Sequence, residues 1–230
     1  MSEIVVVDDL SFEVRRSDRR TTVGLTIDRD GELVLSVPSD CPTETAKQIA
    51  GAKRLWIYTK LAQRERLSRP LAAREFVTGE GFSYLGRTYR LKLIDPSGAA
   101  EPPLRLQHGR FLLLRTERHR GQEHFVQWYA QHGRPWLQHR VERLAARIGV
   151  TPPTVQVREL GYRWGSCGRG VNVHWRSILL PPRYIDYILA HELVHLCEPR
   201  HNKRFWAALA RVMPDFAARK QWLAEHGGRF

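Results

Sequence analysis

The sequence predicts an α+β protein in which a β-rich N-terminal half, residues 1–120, packs with a helix-rich half, residues 121–230. Short segments of alternating apolar and polar residues dominate the first half, whereas apolar residues recur at helical spacing in the second. With 230 residues and 42% hydrophobic content, the chain can bury a sizeable core. We therefore expect one large domain or two lobes packed together.

The first predicted elements are a β-hairpin and a long helix. Residues 10–37 alternate in the manner of strands, and turn-forming residues at 28–31 separate two such segments. After prolines interrupt the pattern in 38–42, apolar residues in 43–67 recur at helical spacing. A single helix of about six turns would fit this last segment.

A second group of short strands is predicted between residues 76 and 115. Residues 84–87 form its expected turn, and the proline-containing stretch 96–103 is expected to be a surface loop. A polar, charged stretch at 118–122 follows. We place the boundary between the two halves there, because linkers between compact units are commonly polar.

The second half begins with a long helical pattern over residues 122–148. Pro135 lies inside this pattern and is expected to kink or split the helix. Gly149 follows it and is a suitable C-terminal cap.

The remaining predicted elements are two strands and two helices. Residues 154–160 and 171–180 have strand patterns and are joined by the glycine-rich segment 164–170. Helices are then predicted at 183–197 and 202–212. The first of these helices carries the most informative motif of the chain.

Composition predicts a soluble protein that is not exported. No run approaches the roughly 18 apolar residues that cross a bilayer, and the acidic N-terminus differs from a signal peptide. The three cysteines, Cys41, Cys167 and Cys197, are odd in number and far apart, which argues against a disulfide framework. We therefore expect a cytoplasmic protein without membrane association, in which Cys167 and Cys197 are small buried hydrophobic residues.

The formal net charge of +13 comes from 37 basic and 24 acidic residues. Clustered basic side chains can neutralise phosphates, so DNA or a nucleotide is a conceivable partner of this surface. The basic residues are nevertheless spread over the whole chain, as on an ordinary solvated surface. Charge alone therefore identifies no partner.

The segment His191-Glu192-Leu193-Val194-His195 fits the H-E-x-x-H motif, which places two histidines on one helix face. Both imidazoles can then bind one metal ion, typically zinc. Glu192 lies about 100° further round the helix, outside a ligand position but within reach of a water at the metal, so we predict it to be the general base. The helix is expected to dock through an apolar stripe that consists of Ile185, Leu189, Leu193 and Leu196.

A catalytic zinc ion usually has three protein ligands, and His201 is the favoured third one. It follows His195 by six residues, and Pro199 ends the helix between them, so the chain can turn back to the metal. Two alternatives stay open. Glu198 lies on roughly the same helix face as the first histidine, and Asp215 belongs to the next helix.

Further distinctive segments surround this motif, namely Arg163–Cys167, Asn172, Trp175–Arg176, Pro181–Pro182, Ile185–Tyr187 and His201–Trp206. Together with 14–20, 28–31 and 55–57, they resemble the YgjP-like family of metallopeptidases over most of residues 12–223. One departure is the segment Gly168-Arg169-Gly170, which is shorter than its counterpart in the family.

The resemblance implies a zincin-like catalytic half with the three histidines as zinc ligands. It is related in outline to SprT-like and WLM proteases, which act on proteins attached to DNA. In the matched segments, the residues expected to bind substrate are Trp164, Ser166, Asn172 and Arg176.

The residues of this glycine-rich region have further expected roles. Its glycines would let a strand edge approach the zinc cleft, where an extended peptide could pair with it. Arg163, Arg169 and Arg176 could supply positive charge to a substrate there. His174 is expected to be an ordinary strand histidine, because its spacing does not fit a ligand.

These observations predict a zinc metallopeptidase in which a zinc-activated water attacks the peptide bond and Glu192 accepts its proton. The oxyanion donor is not identified by the sequence. One alternative is a metal-dependent nucleoside triphosphate hydrolase, although the chain lacks a phosphate-cradling glycine loop with lysine. A second is a nucleic-acid-associated protein with structural zinc, which would normally have four protein ligands.

Overall fold

The computed structural model describes residues 3–27, 32–67, 74–96, 101–161, 163–168 and 170–230. In these residues it contains six α-helices and three mixed sheets, which confirms the predicted α+β class. The chain divides into two compact units, residues 1–70 and 71–230. The turn predicted at 28–31 and the arginine predicted at position 169 lie outside the described residues.

The first unit contains a four-stranded sheet with the order β1-β2-β4-β3. Its outer pairs are antiparallel, and its central pair, β2 with β4, is parallel. The predicted hairpin corresponds to β3 and β4. The strands are β1 (Glu3–Val7), β2 (Leu10–Ser17), β3 (Gly24–Ile27) and β4 (Leu33–Pro38).

The long helix predicted at 43–67 is two helices, α1 (Thr43–Ala52) and α2 (Arg54–Leu67). Lys53 lies between them, and its backbone N–H donates to the carbonyl of Ala50 at 3.1 Å in a tighter turn. Gly51, a weak helix former, lies two residues before this break. The apolar spacing was therefore predicted correctly, but the continuity of the helix was not.

The second unit begins with a sheet of the same arrangement, in the order β5-β6-β8-β7 with a parallel central pair. The predicted turn at 84–87 is confirmed, because Tyr84 and Arg87 form the last pair of the β5–β6 hairpin. The strands are β5 (Gly81–Tyr84), β6 (Arg87–Ile94), β7 (Leu104–Gln107) and β8 (Arg110–Leu114).

This second sheet shares its core with the following helix, α3 (Gly121–Ile148). The rings of Phe82 and Phe125 stack at 3.9 Å, and Phe111 meets Phe125 edge to face at 4.9 Å. The compact unit consequently includes residues on both sides of the compositional boundary predicted near 120. The polar stretch at 118–122 connects this sheet to α3, which packs on it.

Pro135 does not split α3, which runs for 28 residues and ends at Gly149 with φ of 87°. The glycine cap is the one that the sequence predicted. Buried residues on both sides of the proline, Tyr129 before it and Leu137 after it, hold the helix to one core. Packing therefore outweighs the hydrogen bond that proline removes.

The third sheet has the order β10-β11-β9 and consists of β9 (Val155–Arg158), β10 (Gly165–Cys167) and β11 (Val171–His174). It corrects two predictions. The strand expected at 171–180 ends at His174, and Trp175–Leu179 form a 3₁₀ helix. The glycine-rich segment 164–170, predicted as the connection between the two strands, itself contains β10, an edge strand of this sheet that is antiparallel to β11.

Three helices complete the second unit, namely α4 (Pro182–Val194), α5 (Lys203–Val212) and α6 (Phe216–His226). α4 begins after Pro181 with a proline in its first turn, where proline is favoured. Ile185, Leu189 and Leu193 are fully buried. Leu196 was wrongly assigned to their stripe, because it lies beyond the end of α4 and is 39% exposed.

A partly buried ion pair fixes α4 against α3. Arg140 of α3 donates from Nε to Asp186 Oδ1 at 2.7 Å and from Nη2 to the second carboxylate oxygen. Such a bidentate pair sets both distance and orientation. Across the described residues, the helices are too short or too polar to cross a membrane.

Candidate metal site

The two histidines of the H-E-x-x-H motif lie at the C-terminal end of α4. His191 is in its last turn, and His195 forms its C-cap. Their rings are 5.0 Å apart and nearly perpendicular, at 82°. The four-residue spacing thus places both imidazoles on one side of the helix, as predicted.

The chain between α4 and α5 brings a third histidine to this pair. Nε2 of His201 lies 2.9 Å from Nε2 of His191 and 3.1 Å from Nε2 of His195. Zinc binds imidazole nitrogen at about 2.0–2.1 Å in tetrahedral geometry, which separates two such nitrogens by roughly 3.4 Å. Two of the nitrogen separations are slightly shorter than this value, and all three ligand atoms lie within 4.8 Å of one another. The three histidines could therefore hold one metal ion, and their chemistry suits zinc.

The two alternative ligands are not part of this group. Glu198 contributes its backbone carbonyl, which lies 3.1 Å from Nδ1 of His195. Asp215 accepts a hydrogen bond from Nε of Arg219 at 2.8 Å. Of the three candidates for the third position, the structure brings only His201 to the other two histidines in the residues that it describes.

The carbonyl of Glu198 also determines the tautomer of His195. A carbonyl can only accept, so Nδ1 of His195 carries the proton and Nε2 presents a lone pair. Nδ1 of His191 is buried, and no hydrogen-bond partner for it lies among the described residues. His195 is thus oriented by a backbone carbonyl, whereas His191 is oriented by packing.

Phe205 supplies much of that packing. This fully buried side chain of α5 lies 4.9 Å from the ring of His191, 4.6 Å from that of His195 and 4.7 Å from that of His201. α5 starts directly after the third histidine because Asn202 caps it, accepting from the backbone N–H of Phe205 at 2.9 Å. One aromatic ring therefore limits the rotation of all three imidazoles.

The environment keeps His191 and His201 neutral. Burial, followed by the neighbouring His195, His201 and Lys220, lowers the pKa of His191 to about 3. Burial likewise lowers the pKa of His201, and His195 and Lys220 add to the effect. Neutral imidazole is the form that binds a metal ion.

Glu192 is buried beside this group, with 9% of its surface exposed. Burial raises its pKa to about 7, and the positive charge of Arg163 opposes part of that rise. A carboxyl group with a pKa near neutrality can both accept and return a proton. The role of Glu192 as general base stays a prediction, and its burial beside the histidines is compatible with that role.

Strand β10 passes directly over Glu192. A Cβ atom built on Gly165 would lie 2.9 Å from Cγ of Glu192 and 3.0 Å from its Oε1. Only glycine leaves room for the carboxyl group at this position. The structure therefore shows the close approach of a strand that the glycines in this segment predicted.

The free side of β10 is available to a further strand. The backbone N–H of His174 donates to the carbonyl of Trp164 at 2.9 Å, and that of Gly168 donates to Gly170 at 3.0 Å. Hydrogen-bonded pairs alternate along an antiparallel ladder, so the backbone groups of Gly165 and Cys167 face away from β11. In the described residues, β10 has no strand on that side.

The four residues expected to bind substrate lie around this strand. Ser166 and Asn172 form a cross-strand pair, on the sheet face opposite to that of Gly165. The ring of Trp164 packs next to Gly227, and the guanidinium group of Arg176 lies 5.3 Å from the ring centre of Trp175. A role in substrate binding stays a prediction for all four.

Other predicted residues have defined surroundings. His174 is a satisfied strand histidine, as expected, because Nε2 lies 2.5 Å from Glu159 Oε1 and Nδ1 accepts from the N–H of Arg176 at 3.0 Å. All three cysteines are free thiols. Cys197 is exposed rather than buried, because it follows the end of α4. Cys167 is half-buried, and burial together with Glu192 raises its pKa.

Sequence reasoning missed two residues near the metal site. Tyr187 lies one turn before His191 with a ring distance of 6.0 Å, and burial and the charge of Glu192 raise its pKa to about 12. Lys220 of α6 lies 4.6 Å above the ring of Trp206. The helical spacing from His191 could have identified Tyr187, but α6 was not predicted, so no signal pointed to Lys220.

Three converging imidazoles beside a buried carboxyl group form a candidate metal site. The family model of the YgjP-like metallopeptidase domain matches residues 21–226, and the chain belongs to this family. The comparison with curated proteins and the comparison with solved structures found no match. Family membership agrees with the resemblance found in the sequence and implies a metallopeptidase that uses a metal ion.

Proposed function

We propose that this protein is a zinc metallopeptidase that hydrolyses peptide bonds in protein or peptide substrates. His191, His195 and His201 would hold the metal, and Glu192 would act as general base. The convergence of three Nε2 atoms within about 3 Å of their neighbours, beside a buried carboxyl group, carries this proposal. The family match favours it over triphosphate hydrolysis and over a nucleic-acid-associated zinc protein.

Zinc bound at this site would supply a Lewis acid that polarises the scissile carbonyl and acidifies the attacking water. The protein contributes neutral, pre-oriented ligands. Phe205 limits the rotation of all three rings, and the carbonyl of Glu198 fixes the tautomer of His195. Little reorganisation is then needed when the metal binds.

Glu192 would act first as general base and then as general acid. Its carboxylate accepts a proton from the attacking water as the water oxygen bonds to the carbonyl carbon. The same carboxyl group then donates this proton to the amide nitrogen as the carbon–nitrogen bond breaks. One water is consumed, and a carboxylic acid and an amine are released. A pKa of about 7 suits both steps, because neither protonation state is strongly favoured.

Strand β10 would hold the substrate. An extended peptide could add to its free edge through the backbone groups of Gly165 and Cys167. Gly165 also touches Glu192, so a peptide on this edge would run next to the general base. Main-chain pairing of this kind would accept many sequences, which fits a peptidase.

We also propose a cytoplasmic location, as the sequence predicted. An association with DNA or a nucleotide through the basic surface stays a prediction from composition.

The proposal is tested with the wild type and Glu192→Gln, which removes the base but keeps the metal ligands. Elemental analysis should find one zinc per chain in both proteins. Cleavage of an unfolded protein should be about 10²- to 10⁴-fold slower in the variant, as for loss of a general base. Nucleoside triphosphates, with and without DNA, serve as the alternative substrates. Absence of zinc from both proteins, or triphosphate hydrolysis that disappears in the variant, would overturn the proposal.

A further inference from the structure

A lysine lies at one side of the metal site, held by an aromatic stack. Nζ of Lys220 is 4.6 Å from the ring centre of Trp206. That ring stacks on His201 at 5.6 Å and 23° and on Phe216 at 5.6 Å and 18°. The same indole ring therefore contacts both the ammonium group and a predicted metal ligand, and cation–π attraction holds the ammonium group there.

Lys220 differs from its neighbour in how its charge is compensated. Arg219 pairs with Asp215 at 2.8 Å and donates to the carbonyl of Arg183 at 2.9 Å. In the part of the chain that the structure describes, no carboxylate lies within ion-pairing distance of Lys220, which is exposed. An ammonium group above an aromatic face keeps N–H donors free for an anionic acceptor.

The metal ligands themselves add no negative charge, because all three are imidazoles. Trp206 contacts both the ammonium group of Lys220 and the ring of His201, so the positive charge of Lys220 lies beside the three imidazoles. A peptide bound at the metal site would therefore meet positive charge from α6. The anion that a peptide can offer is a carboxylate, either from an acidic side chain or from its C-terminus.

We propose that Lys220 binds a carboxylate of the substrate next to the metal site, so that peptides with an acidic group near the scissile bond are preferred. Trp206 positions the lysine by cation–π contact, and the ammonium group forms a charge-assisted hydrogen bond to the carboxylate. This inference rests on the proposed function, since it assigns a substrate class to the same site.

The test uses peptidomimetic hydroxamates, in which the hydroxamate binds zinc and the remainder resembles a peptide. In the first pair, one compound ends in a free carboxylate and the other in a carboxamide. In the second pair, one compound carries a glutamate side chain and the other a glutamine side chain. Calorimetry would measure the dissociation constants of all four compounds with zinc-loaded wild type, Lys220→Met, Lys220→Arg and Arg211→Met. Arg211 is an exposed cation at the end of α5 and serves as the control.

We expect the wild type to bind at least one carboxylate compound about tenfold more tightly than its neutral counterpart, as for one charge-assisted hydrogen bond. Lys220→Met should lose this preference and leave the affinity for the neutral compounds within about twofold. Lys220→Arg should keep most of it, and Arg211→Met should keep all of it. A preference within the first pair would identify the C-terminal carboxylate as the bound group. A preference within the second pair would identify an acidic side chain.

The failure of this inference differs from the failure of the proposed function. Equal binding of acidic and neutral compounds by a zinc-loaded wild type, or a preference that survives in Lys220→Met, overturns the role of Lys220 alone. If the preference depends on Lys220 but the wild type cleaves no peptide, the peptidase proposal fails and the carboxylate site stands. If no zinc and no compound binds, both are wrong.

Discussion

Two groups of histidines in the second unit differ in how their nitrogens are satisfied. His174 is 1% exposed, and both of its ring nitrogens have protein partners, the carboxylate of Glu159 and the backbone N–H of Arg176. The Nε2 atoms of His191, His195 and His201 instead face one another, with no carboxylate or carbonyl between them. His174, which has no expected chemical role, is therefore the most buried of these four histidines.

This comparison teaches that convergence of unsatisfied nitrogens, rather than burial, marks a candidate metal site. A buried histidine with two partners is stable as it is, because neither nitrogen has lost a hydrogen bond. Three imidazoles that face one another cannot all donate, so their lone pairs favour a cation between them. The predictions below either separate the two groups or test what makes the second one functional.

The largest expected effect is the loss of a ligand. His201→Ala should weaken zinc binding by more than about a hundredfold, beyond the effect of losing a residue that only supports a ligand. Peptide hydrolysis should fall to background. Competition with a fluorescent zinc chelator would measure the affinity.

His174→Asn is the matched control for that variant. It should bind zinc normally but lose about 1–3 kcal/mol of stability, because Glu159 and the N–H of Arg176 lose a buried partner. Equal loss of zinc affinity in both variants would show that the comparison between the two groups is wrong.

The next largest effect concerns the ring below the ligands. Phe205→Ala should weaken zinc binding about 10- to 100-fold, because all three imidazoles gain freedom. Phe111→Ala removes a fully buried phenylalanine from the aromatic core beside α3 and serves as the control. Both should lose about 3–5 kcal/mol in urea denaturation. If both bound zinc as the wild type does, packing would not orient the ligands.

A smaller effect is expected at the strand above the base. Gly165→Ala introduces a Cβ atom that must displace Glu192, and peptide hydrolysis should fall roughly tenfold with zinc content unchanged. Gly168→Ala is the control, since a Cβ atom there meets nothing within 4 Å. Steady-state kinetics on one peptide would compare the two. Equal rates in both variants would mean that β10 does not constrain the base.

The last effect concerns the pH dependence of stability in the metal-free protein, not its activity. The folded-state pKa of Glu192 is about 7, above its ordinary value of 4.5, so the folded state binds more protons between these two pH values. Its contribution to stability is present below pH 4.5 and is lost as the pH rises through 7. Glu192→Gln should therefore become more stable than the wild type by a few kcal/mol as the pH rises from 5 to 8. Urea melts that differ by a constant amount over this range would contradict the burial of an ionisable carboxyl group.

The sequence predicted the histidines better than their surroundings. Spacings of four and six residues, with a proline between, identify His191, His195 and His201 because neighbouring residues on a helix and its following turn share a face. The contacts of Phe205 and Lys220 with the site join different helices. No local pattern encodes such contacts, which depend on how α4, α5 and α6 pack.

The errors in secondary structure have a similar cause. A helical pattern at 43–67 does not show that the chain tightens at Lys53, and a strand pattern at 171–180 continues into a 3₁₀ helix. Short apolar segments are ambiguous between these structures. The glycines at 164–170 predicted that a strand edge approaches the metal site, but not the bounds of β10, because a glycine-rich segment has no alternating side-chain pattern. Here the missing side chain of Gly165 makes room for Glu192.

The position of the third histidine beyond the end of α4 determines how a metal would arrive. Two imidazoles are presented by the end of α4, and residues 196–200 already hold the third 2.9 Å from the first. The conformational entropy of closing this short segment is therefore lost on folding rather than on metal binding. Zinc should consequently bind in a single kinetic phase. Amide hydrogen exchange in residues 196–200 should differ little between the metal-free and the zinc-loaded protein.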